Sequence, residues 1–197
     1  RGTVHVTSAR DHHWLRRVLR HRRASWERRV IELGLVDAVV ERAAAASYAV
    51  LETAPQGVSR AELIEAWQSA GIEVISSASS EAGLRRRHLM MRLHLDGFLT
   101  SGPVRAGEHL LIDARSLPQA PGVAKGEAGH EEALALLAAR YAWGHGPIDA
   151  ADLARWTGLT LTEARRALGG ALEVAETAGM RLSRRGDAVA RADLEDL

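Results

Sequence analysis

The chain has 197 residues, 46% of them hydrophobic and 26% charged, with no cysteine and a formal net charge of +1. That length supports one or two globular domains with a real core, and the missing cysteines exclude a disulfide scaffold and any Cys-ligated zinc or iron–sulfur site. No apolar run approaches the ~18 residues of a membrane helix, so no membrane partner is expected.

Arg1 to Thr7 alternates with Val4 and Val6 on one side, as a short strand does. The opening on Arg1, without an initiator methionine or a signal-peptide pattern, leads to the expectation of a fragment of a longer protein. Ser8 offers a helix cap, and Trp14, Leu15, Val18 and Leu19 then recur at helical spacing. With their upstream partner missing, these four should lose packing surface and leave this end poorly ordered. A helix around Ser25–Leu33 stops at Gly34, and Val39, Val40, Ala43, Ser47, Val50 and Leu51 predict a long amphipathic helix ending before Pro55.

Ser59-Arg60-Ala61-Glu62 has the form of a capping box, opening a short helix with Leu63, Ile64 and Trp67 inward. A longer helix is predicted from about Glu81 to Leu99, with Leu84, His88, Met91, Leu95 and Phe98 on one side. Thr100-Ser101-Gly102-Pro103 reads as a turn, and His109–Asp113 as the returning strand. This is the element order of a winged helix, whose third helix enters the major groove while the hairpin touches flanking backbone or minor groove.

Residues 116–129, with two prolines and three glycines, read as a linker. Beyond it the order repeats. Leu134, Leu137, Ala138 and Tyr141 mark a first helix ending at Gly144-His145-Gly146-Pro147. Asp149 caps a second helix with Leu153 and Trp156, and Thr162 a third with Ala164, Ala167, Leu168, Ala171 and Leu172 inside. A hairpin follows with Arg184-Arg185-Gly186-Asp187 at its tip. Ser59, Glu62, Leu63 and Trp67 echo Asp149, Asp152, Leu153 and Trp156. The expected fold class is mainly α with short β-hairpins (α+β), in tandem winged helix-turn-helix units. The expected domains are 1–35 (last strand of a truncated first winged helix plus connecting helices), 36–115 and 130–197 (winged helices), with 116–129 as linker.

The near-zero net charge is segregated. Residues 1–30 hold nine arginines against Asp11 and Glu27, and residues 84–105 hold five against Asp96, whereas 31–80 hold seven acids against Arg42 and Arg60. Lys125 is the single lysine. Arginine forks suit phosphate and guanine, although a GC-rich coding sequence produces the same bias and a charge run is commonly a solvated helix face. Arg1, Arg85, Arg92, Arg165, Arg166, Arg184 and Arg185 are the candidate contacts to double-stranded DNA. Asp11-His12-His13 begins an Arg-rich helix, where consecutive side chains diverge by ~100°, and His88 and His94 share no helix face, so no metal is expected. With neither a metalloprotease HExxH nor a Gly-rich phosphate loop, no cofactor is expected either.

Arg1-Gly2-Thr3-Val4-His5-Val6 with Asp11 and Trp14-Leu15, and Arg140-Tyr141 with Gly144-His145-Gly146-Pro147 and Asp152 to Leu159, form two ordered blocks. Both are similar to signatures of a bacterial winged-helix DNA-binding family. That family includes the glycosylases that release alkylated and interstrand-crosslinked bases, of the azinomycin-resistance type. The resemblance implies three tandem winged helices, the first represented by residues 1–7, and a Gln-x-Gln or Gln-x-Asp catalytic pair upstream of the RGT strand. Gln56, Gln68 and Gln119 are the only glutamines and none is so paired. No catalytic residue is therefore assigned here. His5 is either a lining residue of that pocket or a half-buried histidine bonded to backbone. The expectation is a cytoplasmic, nucleoid-associated, monomeric DNA-binding part of a repair glycosylase-like protein. The alternative is a non-enzymatic transcription regulator or chromosome-associated adaptor.

Overall fold

Apolar residues at helical spacing, punctuated by glycine and proline, give eight helices and two antiparallel hairpins among the residues that the computed structural model describes, 7–19, 24–73, 80–119 and 126–193. The class is α+β and mainly helical, as expected. In chain order the elements are α1 (His12–Val18), α2 (Ala24–Glu32), α3 (Asp37–Thr53), α4 (Arg60–Ser69), α5 (Ser80–Asp96), β1 (Leu99–Arg105) and β2 (Glu108–Asp113). They continue with α6 (Gly126–His145), α7 (Ala150–Thr157), α8 (Leu161–Thr177), β3 (Leu182–Arg185) and β4 (Ala188–Arg191). Residues 23–118 form one compact unit, and residues 119–197 together with 1–22 form the other.

In the first unit, α2 to α5 close around Val30, Leu35, Leu63, Trp67, Leu89 and Leu93. The capping box at Ser59 forms as its spacing predicts: the hydroxyl accepts from Glu62 N–H, and the Glu62 carboxylate accepts from Ser59 N–H. Trp67 is fully buried, and its Nε1 donates to Ser47 Oγ (2.9 Å), which itself donates to the Ala43 carbonyl (2.6 Å). Both polar groups are thereby satisfied inside the core. Immediately before the capping box, Val58 exchanges two backbone hydrogen bonds with Leu111 of β2 (2.9 and 2.7 Å), adding one residue of a third strand to the hairpin.

Thr100-Ser101-Gly102-Pro103 is not a turn. It lies within β1, where the pairing with β2 shifts between Ser101 and Val104, and the chain reverses at Ala106-Gly107. Turn-forming residues were the misleading signal. Proline is tolerated at an irregularity in an edge strand, and a Cβ on Gly102 would stand 2.6 Å from Ile112 Cγ2.

The second unit packs α6 on α8 through small residues, with Ala133, Ala138 and Ala142 facing Ala164, Ala167, Ala171 and Ala175 in one core with Leu134, Leu137, Leu153 and Leu168. Asp149 and Asp152 form a second capping box, and Gly158, with φ +79°, ends α7. The cap of α8 is Thr160 with Glu163 rather than Thr162, since the hydroxyl must sit three residues before the acid. Ile148, again just before the capping box, exchanges backbone hydrogen bonds with Val189 of β4 (2.9 and 2.8 Å). The two units thus share helix, capped short helix, long helix and bridged hairpin, at an offset that pairs Val58 with Ile148 and Ser59 with Asp149. By that offset Trp67 matches buried Thr157, whereas Trp156 is exposed; the tryptophans are not equivalent.

The expectation that Trp14 and Val18 lack a packing partner is overturned. Both are buried in the core of the second unit, where α1 packs on α6. The Asp11 carboxylate accepts from Trp14 Nε1 (2.8 Å) and from Arg140 Nη1 (2.6 Å), and the Arg140 guanidinium lies 5.3 Å from the Trp14 ring centroid.

Two stability measurements follow. A Cβ on Gly146 would stand 2.5 Å from the Ala142 carbonyl and 2.9 Å from Ala190 Cα, both backbone atoms. In urea unfolding, Gly146→Ala is expected to cost about 1–3 kcal/mol, whereas Gly169→Ala, into open space on α8, stabilises by up to ~1 kcal/mol. Asp11→Ala should cost about 1–2 kcal/mol, with a coupling of roughly 0.5–1 kcal/mol to Arg140→Ala in a double-mutant cycle; additive effects would mean that the ion pair contributes nothing.

Candidate nucleic-acid interface

In the second unit the Thr160 cap fixes where α8 begins, and the alanine face fixes which side is inward. Side chains on a helix diverge by ~100° per residue, so Arg165 and Arg166 take different edges of α8. Arg166 turns to α6, with Nη1 3.1 Å from Glu131 Oε1. On that side lies an open groove rimmed by Glu131, Glu132 and Glu173, over Leu136 and Val174. Arg165 is exposed on the other edge, ~60° around the helix from Leu168.

The β3–β4 hairpin sits beside that same edge. From β3, Arg184 Nη2 donates to the Leu168 carbonyl (2.6 Å), which ties the hairpin to α8. Arg185 follows, exposed, at the turn that Gly186 makes with φ +56°. Of the four arginines expected to act together, all are exposed by their surface area, Arg165 and Arg185 among them. Arg184 is an anchor, and Arg166 is matched by a carboxylate. The basic edge and the acidic groove lie on different sides of α8.

On α5 of the first unit the buried stripe is Ala82, Leu89 and Leu93 with His88, and Met91, expected inward, is 40% exposed. Leucine and methionine occur all around this helix, so spacing alone did not select the face. Arg85 and Arg92 do share an edge, but that edge faces their own unit. The Arg92 side chain is 17% exposed and paired with Asp37 (3.1 Å) and with Asp96. Despite desolvation, these two carboxylates raise its pKa. Arg85 is half-buried with Nη1 3.4 Å from where a Cβ on Gly34 would stand, and its Nε has no hydrogen-bond partner among the described residues. The exposed residue of the three consecutive arginines is Arg87, whereas Arg85 is the one expected from the sequence. At the first hairpin, Arg105 pairs with Glu62 (3.3 Å), so it is also matched. Arg1 and His5 lie outside the described residues.

Sequence reasoning missed a cluster in the second unit. Tyr141 stacks on His145 (4.6 Å, 25°) and on Trp156 (4.5 Å, 18°). Tyr141 and His145 are one helical turn apart because α6 runs on to His145, which the sequence placed in the turn that ends the helix; that Trp156 joins them was not legible either. Among the described residues no group of three His, Cys, Asp or Glu side chains can hold a metal ion, and no helix is long and apolar enough to cross a membrane.

A family model described as DNA glycosylase AlkZ-like matches residues 1–197. Neither a curated protein nor a solved structure matches the chain.

Within the first unit, His94 on α5 donates from Nδ1 to the Met90 carbonyl (2.8 Å). Burial, with Arg60 nearby, lowers its pKa from 6.5 against the raising effect of that bond. The unfolded chain therefore takes up a proton on acidification before the folded one does. Stability is expected to be full above pH 6.5 and to fall as the pH drops below it, until folded His94 also protonates. His94→Gln should remove that part of the slope in urea unfolding followed against pH; an unchanged slope would assign it elsewhere.

Proposed function

The chain belongs to the AlkZ-like DNA glycosylase family, and we propose that its two units are tandem winged helices that grip double-stranded DNA for a base-excising repair protein. The observation that carries this reading is the repeated helix–helix–helix–hairpin order with the bridge at equivalent positions, Val58 to Leu111 and Ile148 to Val189. A strand residue before the second helix, paired to the hairpin, gives each unit the small sheet of a winged helix, and the third helix, α5 or α8, is then the groove-facing one. In the second unit, Arg165 on α8 and Arg185 on the hairpin approach the duplex from one edge. They neutralise backbone phosphates and carry no base readout of their own. Arg87 has the corresponding outward position on α5. Arg184 holds the hairpin in register with α8, while Arg92 and Arg166 hold their own units together.

The residues of this chain bind and orient DNA. None of them is assigned the base-releasing step, since no Gln-x-Gln or Gln-x-Asp pair is among them. The protein would act on chromosomal DNA in the cytoplasm.

The test is the salt dependence of duplex binding, followed by fluorescence anisotropy. Each phosphate contact removed should flatten the slope of log K against log salt by about one unit. Arg165→Ala with Arg185→Ala is expected to lose about two units, and Arg92→Ala to change the slope little. A slope unchanged in the double variant overturns the assignment of this edge, and absence of duplex binding by the unaltered chain overturns the DNA reading itself.

A further inference from the structure

Between Arg140 and Leu159 nearly every residue with a distinctive side chain has a structural task. Arg140 is held by Asp11, and Gly146 lets the chain pass against the backbone of β4. Asp149 and Asp152 cap α7, Leu153 and Leu159 fill the core, and Gly158 takes the left-handed conformation that ends the helix. Thr157 donates to the Leu153 carbonyl (2.6 Å) and accepts from Leu159 N–H (3.2 Å). Tyr141, His145 and Trp156 are not accounted for in this way. They stack on one another at the surface, with Tyr141 half-buried, His145 exposed and Trp156 39% exposed.

The geometry of the stack is informative. His145 and Trp156 each lie within 4.6 Å of Tyr141 and nearly parallel to it, at 25° and 18°. Two rings so placed cannot share one face of Tyr141, because side by side they would overlap; they lie on opposite faces. Trp156 therefore ends a three-ring column, one face covered by Tyr141, on a helix where the next residue inward, Thr157, is fully buried and fixes the rotation of α7. A rigid indole held in this way loses little entropy when a further ring is added. Arg155 beside it has a side chain 79% exposed, with a distant contact to Asp152 (3.4 Å).

We infer that Trp156, backed by Tyr141 and His145, is a stacking platform for one unpaired nucleobase of the bound DNA. This rests on the duplex-binding reading above and adds a site to it. A single exposed indole offers far less area than a protein partner buries, but it matches one base, and a cation next to an aromatic ring is the combination that holds unpaired nucleic acid. A paired base has both faces covered by its neighbours in the duplex. Only a base that has left the stack presents a free face, so the platform discriminates in favour of DNA containing one.

The experiment uses the full chain with two short duplexes of the same sequence, one fully paired and one carrying a single unpaired 2-aminopurine. Affinity is read by anisotropy, and stacking by quenching of the 2-aminopurine emission. The unaltered chain is expected to bind the bulged duplex more tightly and to quench it. Trp156→Ala should lose the quenching and roughly 5- to 100-fold of the affinity for bulged DNA, with affinity for the paired duplex unchanged and the thermal unfolding midpoint lowered only by the lost contact with Tyr141. Trp156→Phe keeps an aromatic face and should retain most of the quenching, whereas Trp156→Leu, with apolar bulk and no π face, should behave as the alanine variant does. Quenching and discrimination that persist in Trp156→Ala, or that leucine restores, overturn the proposal while leaving the duplex reading intact. Absence of binding to either duplex overturns both, and is distinguished by the unaltered chain alone.

Discussion

Each unit depends on one backbone contact, the exchange of hydrogen bonds between the residue before its capped short helix and the second strand of its hairpin. A two-stranded hairpin alone is marginal in water, and here Leu99 and Leu111 of the first hairpin and Val189 of the second are also buried in the cores of their units. The bridges from Val58 to Leu111 and from Ile148 to Val189 fasten it to the helical layer at a defined register. The register also decides where the arginines of the second hairpin lie. With Val189 fixed, its partner Arg184 on β3 reaches the Leu168 carbonyl and brings Arg185 to the edge of α8 that bears Arg165. The glycine before each bridge, Gly57 or Gly146, leaves the clearance for the approach, since a Cβ at either would stand within 3 Å of the hairpin it meets.

The electrostatics follow a division of labour among arginines. Arg92, Arg105, Arg140 and Arg166 are matched by carboxylates of their own units, and these pairs help to hold α5, the first hairpin, α1 and α8 in place. Exposed pairs of this kind contribute little stability individually, but they cancel charge where a polyanion would otherwise bind without specificity. Arg87, Arg165 and Arg185 are among the arginines that stay exposed. A net charge of +1 does not by itself exclude a nucleic-acid partner, because basic and acidic residues are segregated along the chain.

Much of the fold could be read from local pattern. The capping box at Ser59, the cap at Asp149 and the second hairpin are produced by a few neighbouring residues, and the structure has them where the spacing put them. Errors arose where the local signal was ambiguous. Gly102 and Pro103 have the composition of a turn, yet they lie in a strand at an irregularity of its pairing, where Ile112 leaves no room for a side chain at Gly102. On α5 apolar residues surround the helix, and Met91 points outward although its spacing is that of a core position. Thr157 takes the buried place in the second unit that Trp67 takes in the first, which frees Trp156 for the surface.

The sequence by itself determined the helix starts and stops, the internal repeat, the two family-like blocks and the segregation of charge, since each rests on interactions within a turn or two of chain. Only the tertiary structure decided which arginines point outward, that Asp11 and Trp14 dock on Arg140, and that three aromatic rings form one column. Those outcomes depend on pairings across as many as 129 residues. The rotation of each helix about its axis is set by the packing of its neighbours, and a single residue of rotation exchanges an arginine paired within its unit, Arg166, for one exposed on another edge, Arg165.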